Sequence, residues 1–162
     1  MSLKKIFAVS LLAAVCISVS AQEVPSFRDP GYKGSVGIAT VAIGPGIETS
    51  HGWMINETHY VGAGAAACFI FPITPVFKEF IEYQVYFKKS DSTPFAGCQI
   101  GAYQTWGIDE DGSYQSGIFI EPRGGWSWLI AGRFGLTLSG GLMLNPTTNF
   151  IPIPNIHLAL EL

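Results

Sequence analysis

Hydrophobic and polar side chains alternate along most of the chain beyond residue 31. In the stretch FKEFIEYQVYF at 77–87, Lys78 and Glu82 share one parity, whereas Ile81 and Val85 share the other. Successive side chains of a β-strand point to opposite faces, so this stretch predicts a strand with one polar and one apolar face. Glycine, proline and polar clusters interrupt the alternation and predict strand ends. The pattern predicts eight strands, at about 32–43, 47–56, 59–71, 76–88, 94–106, 114–128, 133–144 and 153–162.

The two faces of these strands differ in side-chain size. In the seventh strand, Phe134 and Leu136 oppose Gly135 and Thr137. A soluble barrel would bury its large apolar face and cover the other with charged residues, yet only 13% of the residues are charged and the mean hydropathy is +0.33. An apolar exterior around a polar, glycine-rich interior is typical of a transmembrane β-barrel. We therefore predict an all-β fold, a single eight-stranded antiparallel up-and-down transmembrane β-barrel over 32–162.

Most charged residues fall on the small, polar face or in turns. Eight strands enclose a space that side chains alone can fill, and charges buried there must pair with one another. We therefore predict a structural network that plugs the interior, without a catalytic residue. Its expected members are Lys33, Glu48, Lys78, Glu82, Gln84, Glu121, Arg123, His157 and Glu161. A proton relay, a narrow conducting path and an active site are the alternatives for this set.

Aromatic residues concentrate near the turns that join strands 2 and 3, 4 and 5, and 6 and 7. These turns share one end of an up-and-down barrel, so the rings predict a girdle at the level of the lipid headgroups. The expected girdle residues are Trp53, Tyr60, Tyr83, Phe87, Trp126, Trp128 and Phe134. The alternative is that they are core aromatics of a soluble domain. Glu79 breaks the pattern because it has the apolar parity, and we expect it above the hydrocarbon near its strand start, or at a bulge.

The first 21 residues have the pattern of a secretory signal peptide. Lys4 and Lys5 precede an apolar run at 6–19, and small residues precede the expected cleavage site after Ala21. The run is too short for a membrane-spanning helix. Cleavage would leave a polar, proline-bearing lead-in at 22–31 and the barrel, and it implies export.

Charge, cysteine content and motif spacing exclude several classes of function. The net charge is −3, and removal of residues 1–21, which contain two lysines and no acids, makes it more negative. A negative net charge argues against a nucleic-acid partner. Cys68 and Cys98 have opposite parities on strands that are not neighbours, so we expect no disulfide between them. An acidic turn at 109–113 lacks the later ligands of a calcium loop. We expect no metal site and no cofactor.

Ser50 and His51 are the residue types of a nucleophile and its base. Adjacent strand residues point to opposite faces, so their side chains are not expected to share a hydrogen bond. We interpret His51 as an interface residue, or as a residue that a bulge turns inward.

Four short motifs stand out along the strands. They are Ser50-His51-Gly52-Trp53, Tyr60-Val61-Gly62-Ala63-Gly64, Phe80-Ile81-Glu82-Tyr83-Gln84-Val85-Tyr86-Phe87 and Pro94-Phe95-Ala96. With them the chain resembles a known family, the small outer-membrane β-barrel proteins of Gram-negative bacteria (the OmpA/OmpX-like class). The resemblance covers about 31–162. It implies insertion into the cell outer membrane by the assembly machinery and contact with outer-membrane lipid and lipopolysaccharide. It implies no reaction.

From these patterns we expect a monomeric integral outer-membrane protein with a structural or surface-interaction role. One rival is a lipid-modifying outer-membrane enzyme, and a second is a narrow pore. A third is a soluble periplasmic barrel that binds an apolar ligand, which requires Val61, Leu136 and Leu158 to point inward.

Overall fold

The computed structural model describes residues 29–41, 44–70, 74–106, 114–130, 134–146 and 152–162. The signal peptide, residues 22–28 of the lead-in and the acidic turn at 109–113 lie outside the described residues.

Eight strands make up almost all of the described chain. Their bounds agree closely with those expected from the alternation, because side-chain parity and turn residues both report on the same pleated backbone. The strands are β1 (Gly31–Val41), β2 (Gly44–Asn56), β3 (His59–Ile70), β4 (Thr74–Tyr86), β5 (Ser92–Trp106), β6 (Tyr114–Ile130), β7 (Phe134–Met143) and β8 (Ile153–Glu161). Among the described residues, no helix is long and apolar enough to cross a membrane.

The strands close into one antiparallel barrel in chain order, which confirms the predicted fold class. Paired residues can be followed from Gly31 through β2 to β7 as far as Asn155 in β8. In the β1–β8 register Ala39 pairs with His157, so two residues further along Asn155 lies opposite Val41. The path around the barrel that starts at Gly31 therefore returns to β1 ten residues later, at Val41. A stagger of this size tilts the strands by about 40° from the barrel axis.

The large apolar side chains cover the outside of the barrel. Ile38 and Ile81 are 58% and 64% exposed, whereas Lys78 is 1% exposed. The outward positions also include Val61 and Leu158, which contradicts the soluble alternative with these residues inside. The oily face of each strand therefore forms the exterior, as the low charge content predicts.

The barrel has two distinct ends. The terminal end, where β1 begins and β8 finishes, carries the β2–β3, β4–β5 and β6–β7 connections. The opposite, loop end carries the β5–β6 and β7–β8 connections, which are the two longest. Inside the barrel, apolar clusters lie toward both ends, with the charged residues between and beside them. The terminal-end cluster is Met54, Tyr60, Tyr86 and Phe95, and the loop-end cluster is Ala66, Cys68, Phe80, Phe119 and Met143.

Glycines on the inner face make room for aromatic rings. A Cβ added to Gly64 would lie 2.5 Å from the Phe80 ring, and one added to Gly117 would lie 2.7 Å from the Tyr103 hydroxyl. An eight-stranded barrel is narrow, so a ring can fold over the inner wall only where that wall has no side chain. This explains why glycine recurs on the polar parity.

Candidate functional site

Charged and amide side chains from five strands meet inside the barrel. The structure places all nine residues of the expected network on the inner face, because they occupy the inward parity of β1, β2, β4, β6 and β8. The nine are Lys33, Glu48, Lys78, Glu82, Gln84, Glu121, Arg123, His157 and Glu161. The network has three parts, arranged from the terminal end to the loop end.

The first part joins the beginning of β1 to the end of β8. Lys33 Nζ lies 2.8 Å from Glu161 Oε1 and also donates to the hydroxyl of Tyr86. The same ammonium lies 4.9 Å and 4.5 Å from the ring centroids of Tyr60 and Tyr86, within cation–π range. Ser127 Oγ donates to Glu161 Oε2 at 3.1 Å. A buried ion pair thus lies among the aromatic rings of the terminal end.

Arg123 forms the centre of the network. Its guanidinium donates to Glu48 Oε1 at 3.2 Å and to Glu82 Oε2, bridging carboxylates on β2 and β4. Gln99 Nε2 donates to Glu48 Oε1 at 3.1 Å, and Gln84 Nε2 donates to Glu82 Oε2 at 3.1 Å. Arginine suits this place because its planar fork can serve two carboxylates at once.

The third part lies toward the loop end and centres on Glu121. Its Oε2 accepts from Lys78 Nζ at 3.0 Å and from Asn155 Nδ2 at 2.8 Å. His157 lies between two carboxylates, with Nε2 2.7 Å from Glu121 Oε1 and Nδ1 3.4 Å from Glu48 Oε2. Both Lys78 and Glu121 are fully buried.

The three parts form one continuous chain of contacts. Tyr86 connects the first to the second, because its hydroxyl contacts Glu161 Oε1 at 3.3 Å and Gln84 Oε1 at 2.9 Å. His157 connects the second to the third through Glu48 and Glu121. Among the described residues of this chain, four glutamates face two lysines and one arginine, with the histidine between two of the acids.

Several members of this network were not predicted from the sequence. Ser50, Gln99, Ser127 and Asn155 are buried and bonded to its carboxylates. Their inward parity was the available signal, but uncharged polar residues are common on either face of a strand and so do not stand out.

The prediction that Tyr60 belongs to the lipid-facing girdle is wrong. Tyr60 is 2% exposed and points into the barrel, where its hydroxyl lies 2.9 Å from Ser50 Oγ. The alternation that places Gly62 and Gly64 on the inner face also places Tyr60 there, since all three share one parity. Its ring lies against Gly62, where a Cβ would leave no room for it.

The other expected girdle aromatics point outward. Trp53 and Phe87 are 63% and 61% exposed, and Trp126 donates from Nε1 to Ser92 Oγ at 2.7 Å. These rings lie toward the terminal end, on or next to the strand segments that meet there. The outward set is Trp53, Tyr83, Phe87, Trp126, Trp128 and Phe134.

Ser50 and His51 do not form a catalytic pair. Ser50 points inward to Glu82, whereas His51 lies on the outer face, stacked on Tyr32 with its Nδ1 2.5 Å from that hydroxyl. His51 Nε2 lies 3.0 Å from Thr49 Oγ1, which itself donates to the Ser35 carbonyl at 3.0 Å. The Thr49 hydroxyl has one proton, which it donates to that carbonyl. His51 therefore donates from Nε2 to Thr49, and its Nδ1 accepts from the Tyr32 hydroxyl. Both ring nitrogens are satisfied, and no bulge turns the residue inward.

The remaining candidate sites carry no chemistry in the described residues. Cys68 and Cys98 are both free, as their parity predicts. In the described part of the chain, no group of three or more histidine, cysteine, aspartate or glutamate side chains is arranged to hold a metal ion.

Glu79 lies on the outer face in uninterrupted β-structure. Its register partners are Ala65 in β3 and Ala102 in β5, with no shift on either side, so the alternative of a bulge is wrong. β4 begins at Thr74, which places Glu79 further from the strand start than its sequence suggested.

No family model matches the chain, and no curated protein sequence matches it. Solved structures do. The N-terminal β-barrel domain of Pseudomonas aeruginosa OprF has a TM-score of 0.67 at 8% identity, over 83% of this chain and 98% of that one. Neisserial surface protein A has a TM-score of 0.63 at 14% identity, over 82% and 94%.

A third similar structure is the outer membrane enzyme PagL, with a TM-score of 0.51 at 13% identity over 80% of this chain and 98% of that one. These neighbours are small eight-stranded outer-membrane barrels, which confirms the expected resemblance at the level of the fold. The protein therefore has the fold and the apolar exterior of an outer-membrane β-barrel.

Proposed function

We propose that the protein is an integral outer-membrane barrel with a sealed interior and a structural or surface-interaction role. The observation that carries the proposal is the continuous network from Lys33 to Lys78, in which charges from opposite walls touch. Short turns face the periplasm in outer-membrane barrels and longer loops face outward, so the loop end is the extracellular end. Insertion by the assembly machinery and a monomeric state remain predictions.

A sealed interior follows from size and electrostatics together. Eight strands leave room for side chains and little else. Arg123 and Lys78 occupy that room together with their carboxylate partners and the apolar residues near both ends. An ion crossing the barrel would have to displace buried pairs, and separating such a pair leaves an uncompensated charge. Structural support of the envelope and contacts at its surface need no such passage.

The similarity to an outer-membrane enzyme is one of fold alone. The proposed role therefore rests on the arrangement of side chains, which offers no nucleophile bonded to a base at Ser50 and His51.

Planar-bilayer recordings of the purified full chain test the proposal. The wild-type protein is expected to show no steady conductance. A variant carrying Arg123→Ala, Glu48→Ala and Glu82→Ala is expected to conduct, because it removes the central bridge. The matched control Tyr83→Phe, altered only on the outer face, is expected to remain silent. Steady single-channel currents from the wild type would overturn the sealed interior in favour of a pore.

A further inference from the structure

The lipid-facing surface of the barrel contains one carboxylate among the described strand residues. Glu79 is exposed on β4 between the outward Phe77 and Ile81, and its register partners on β3 and β5 are alanines. None of the described hydrogen bonds or ion pairs involves its side chain. A polar group in hydrocarbon needs a hydrogen-bond partner, and the described part of the chain does not supply one for Glu79.

Glu79 lies inside the apolar band of the exterior. It is eight residues from Phe87, the aromatic residue that follows β4 at the terminal end. At about 3.3 Å per residue and a tilt of about 40°, it lies roughly 20 Å above Phe87 along the barrel axis. The apolar band of such barrels is about 25 Å tall. The carboxyl group is therefore in the half of the membrane nearer the loop end, below the headgroups.

A shallow, wide-open groove lies beside Glu79 on the outer wall. It is lined by Ala63 and Ala65 on β3, and by Ile81 and Ile100 on β4 and β5. The small side chains let an acyl chain lie against the strands while its polar attachment point reaches Glu79. The groove and the carboxyl group of Glu79 thus lie at the same position of the outer wall.

Another polar residue of the outer surface has hydrogen-bond partners within the barrel. His51 on β2 bonds through both ring nitrogens, to Tyr32 and Thr49. It needs nothing from the membrane. The contrast shows that this barrel can satisfy an outward polar group internally and does not do so for Glu79.

A second copy of the chain does not complement this groove. Among the outward positions of the described strands, none holds lysine or arginine. Two copies meeting at this face would oppose their carboxyl groups across alanines. The partner must bring donors at a depth of several ångströms below the headgroups, which is where the hydroxyl and amide groups of hydroxyacylated aminosugar lipids lie.

We propose that Glu79 and its groove bind an outer-leaflet lipid of the lipopolysaccharide class, with the carboxyl group accepting hydrogen bonds from hydroxyl or amide groups next to the acyl chains. In either protonation form a carboxyl group accepts such bonds. The inference rests on the outer-membrane location proposed above and is independent of whether the interior conducts.

Native mass spectrometry of the refolded full chain, titrated with purified lipid A, tests this site. Lipid A binding is expected to weaken roughly tenfold in Glu79→Leu and less in Glu79→Gln, which keeps an accepting oxygen. Ala65→Phe, which fills the groove, is expected to weaken binding while Glu79 remains. Leu142→Ala, an outward change on β7, is the matched control and is expected to bind as the wild type does. A heat-dependent shift on gels verifies that each variant is folded.

Three results would overturn the site. The first is equal lipid A binding by wild type and Glu79→Leu. The second is equally tight, Glu79-dependent binding of phosphatidylethanolamine, which would assign the carboxylate to an ammonium headgroup. The third is Glu79-dependent self-association, which would assign the face to a second copy. None of these results would contradict the proposal of a sealed interior, and conductance by the wild type would not contradict the proposed lipid site.

Discussion

The inner surface of this barrel holds paired polar and charged side chains, whereas the outer surface is mainly apolar. Two neighbouring residues of one strand illustrate the difference. His157 points inward and contacts two carboxylates, whereas Leu158, the next residue, is 44% exposed on the outside. Inside, each charge has a partner from another strand. Outside, the strands present mainly apolar side chains to the lipid, and these need no hydrogen-bond partner. The comparison teaches that what a position tolerates depends on the partners available there.

The two surfaces also depend on different energies. Burying an unpaired charge costs several kcal/mol, and good geometry recovers most of that cost. The outer surface gains from contact with hydrocarbon and loses about 2–4 kcal/mol for a cation placed at its midplane. Removing a charge partner inside should therefore cost more stability than adding a charge outside.

The largest effect is expected from removing the shared cation of the interior. Arg123→Met leaves Glu48 and Glu82 without their bridge, and breaking a buried ion pair costs about 3–5 kcal/mol. The measurement is the free energy of unfolding of the barrel in lipid vesicles, obtained from denaturant titration.

The control for this prediction removes the acids as well. Combining Arg123→Met with Glu48→Gln and Glu82→Gln is expected to recover most of the loss, because amides carry no uncompensated charge. An equal loss in the single and triple variants would show that packing, and not charge, makes Arg123 important.

A charge added to the outside is expected to have a smaller effect that depends on depth. Leu158 lies within β8, with Ile38 and Leu138 as its register partners, so a lysine there has no acid to meet. Leu158→Lys should lower the free energy of unfolding by about 2–4 kcal/mol, and Ile130→Lys, at the last residue of β6, by about 0–1 kcal/mol. Equal losses at both positions, measured by the same titration, would contradict a lipid-embedded band.

Much of the fold could be predicted from the sequence because one physical rule runs through the chain. Alternation assigns a face to each residue, and turn residues assign the strand ends. The inward placement of Lys33 and Glu121 followed from parity alone. Their actual partners did not, because pairing across the interior depends on the stagger of the strands, which no local pattern reports.

The positions that sequence reasoning misplaced have specific causes. Its residue type and its place next to a turn group Tyr60 with the girdle, although its parity points inward. Pro75 has the appearance of a boundary and suggests that Glu79 is near a strand start, whereas β4 begins at Thr74. In both cases a local feature misleads where the whole strand gives the correct placement.

The smallest effect is expected at Tyr60, whose hydroxyl meets Ser50 beside Glu82. Tyr60→Phe keeps the ring against Gly62 and removes one buried hydrogen bond, so the free energy of unfolding should fall by about 1 kcal/mol. Tyr83→Phe is the matched control, since that ring is 44% exposed on the outside and its hydroxyl bonds only to His59 among the described contacts.

Fluorescence separates the two tyrosines further. A lipid-soluble quencher should reach Tyr83 but not Tyr60, so the quenched fraction of tyrosine emission should fall in Tyr83→Phe and rise in Tyr60→Phe. The reverse result would place Tyr60 in the lipid after all and would require β3 to shift by one residue against its neighbours. Such a shift would also turn Ala63 and Ala65 inward, so this measurement tests the register on which the outer groove depends.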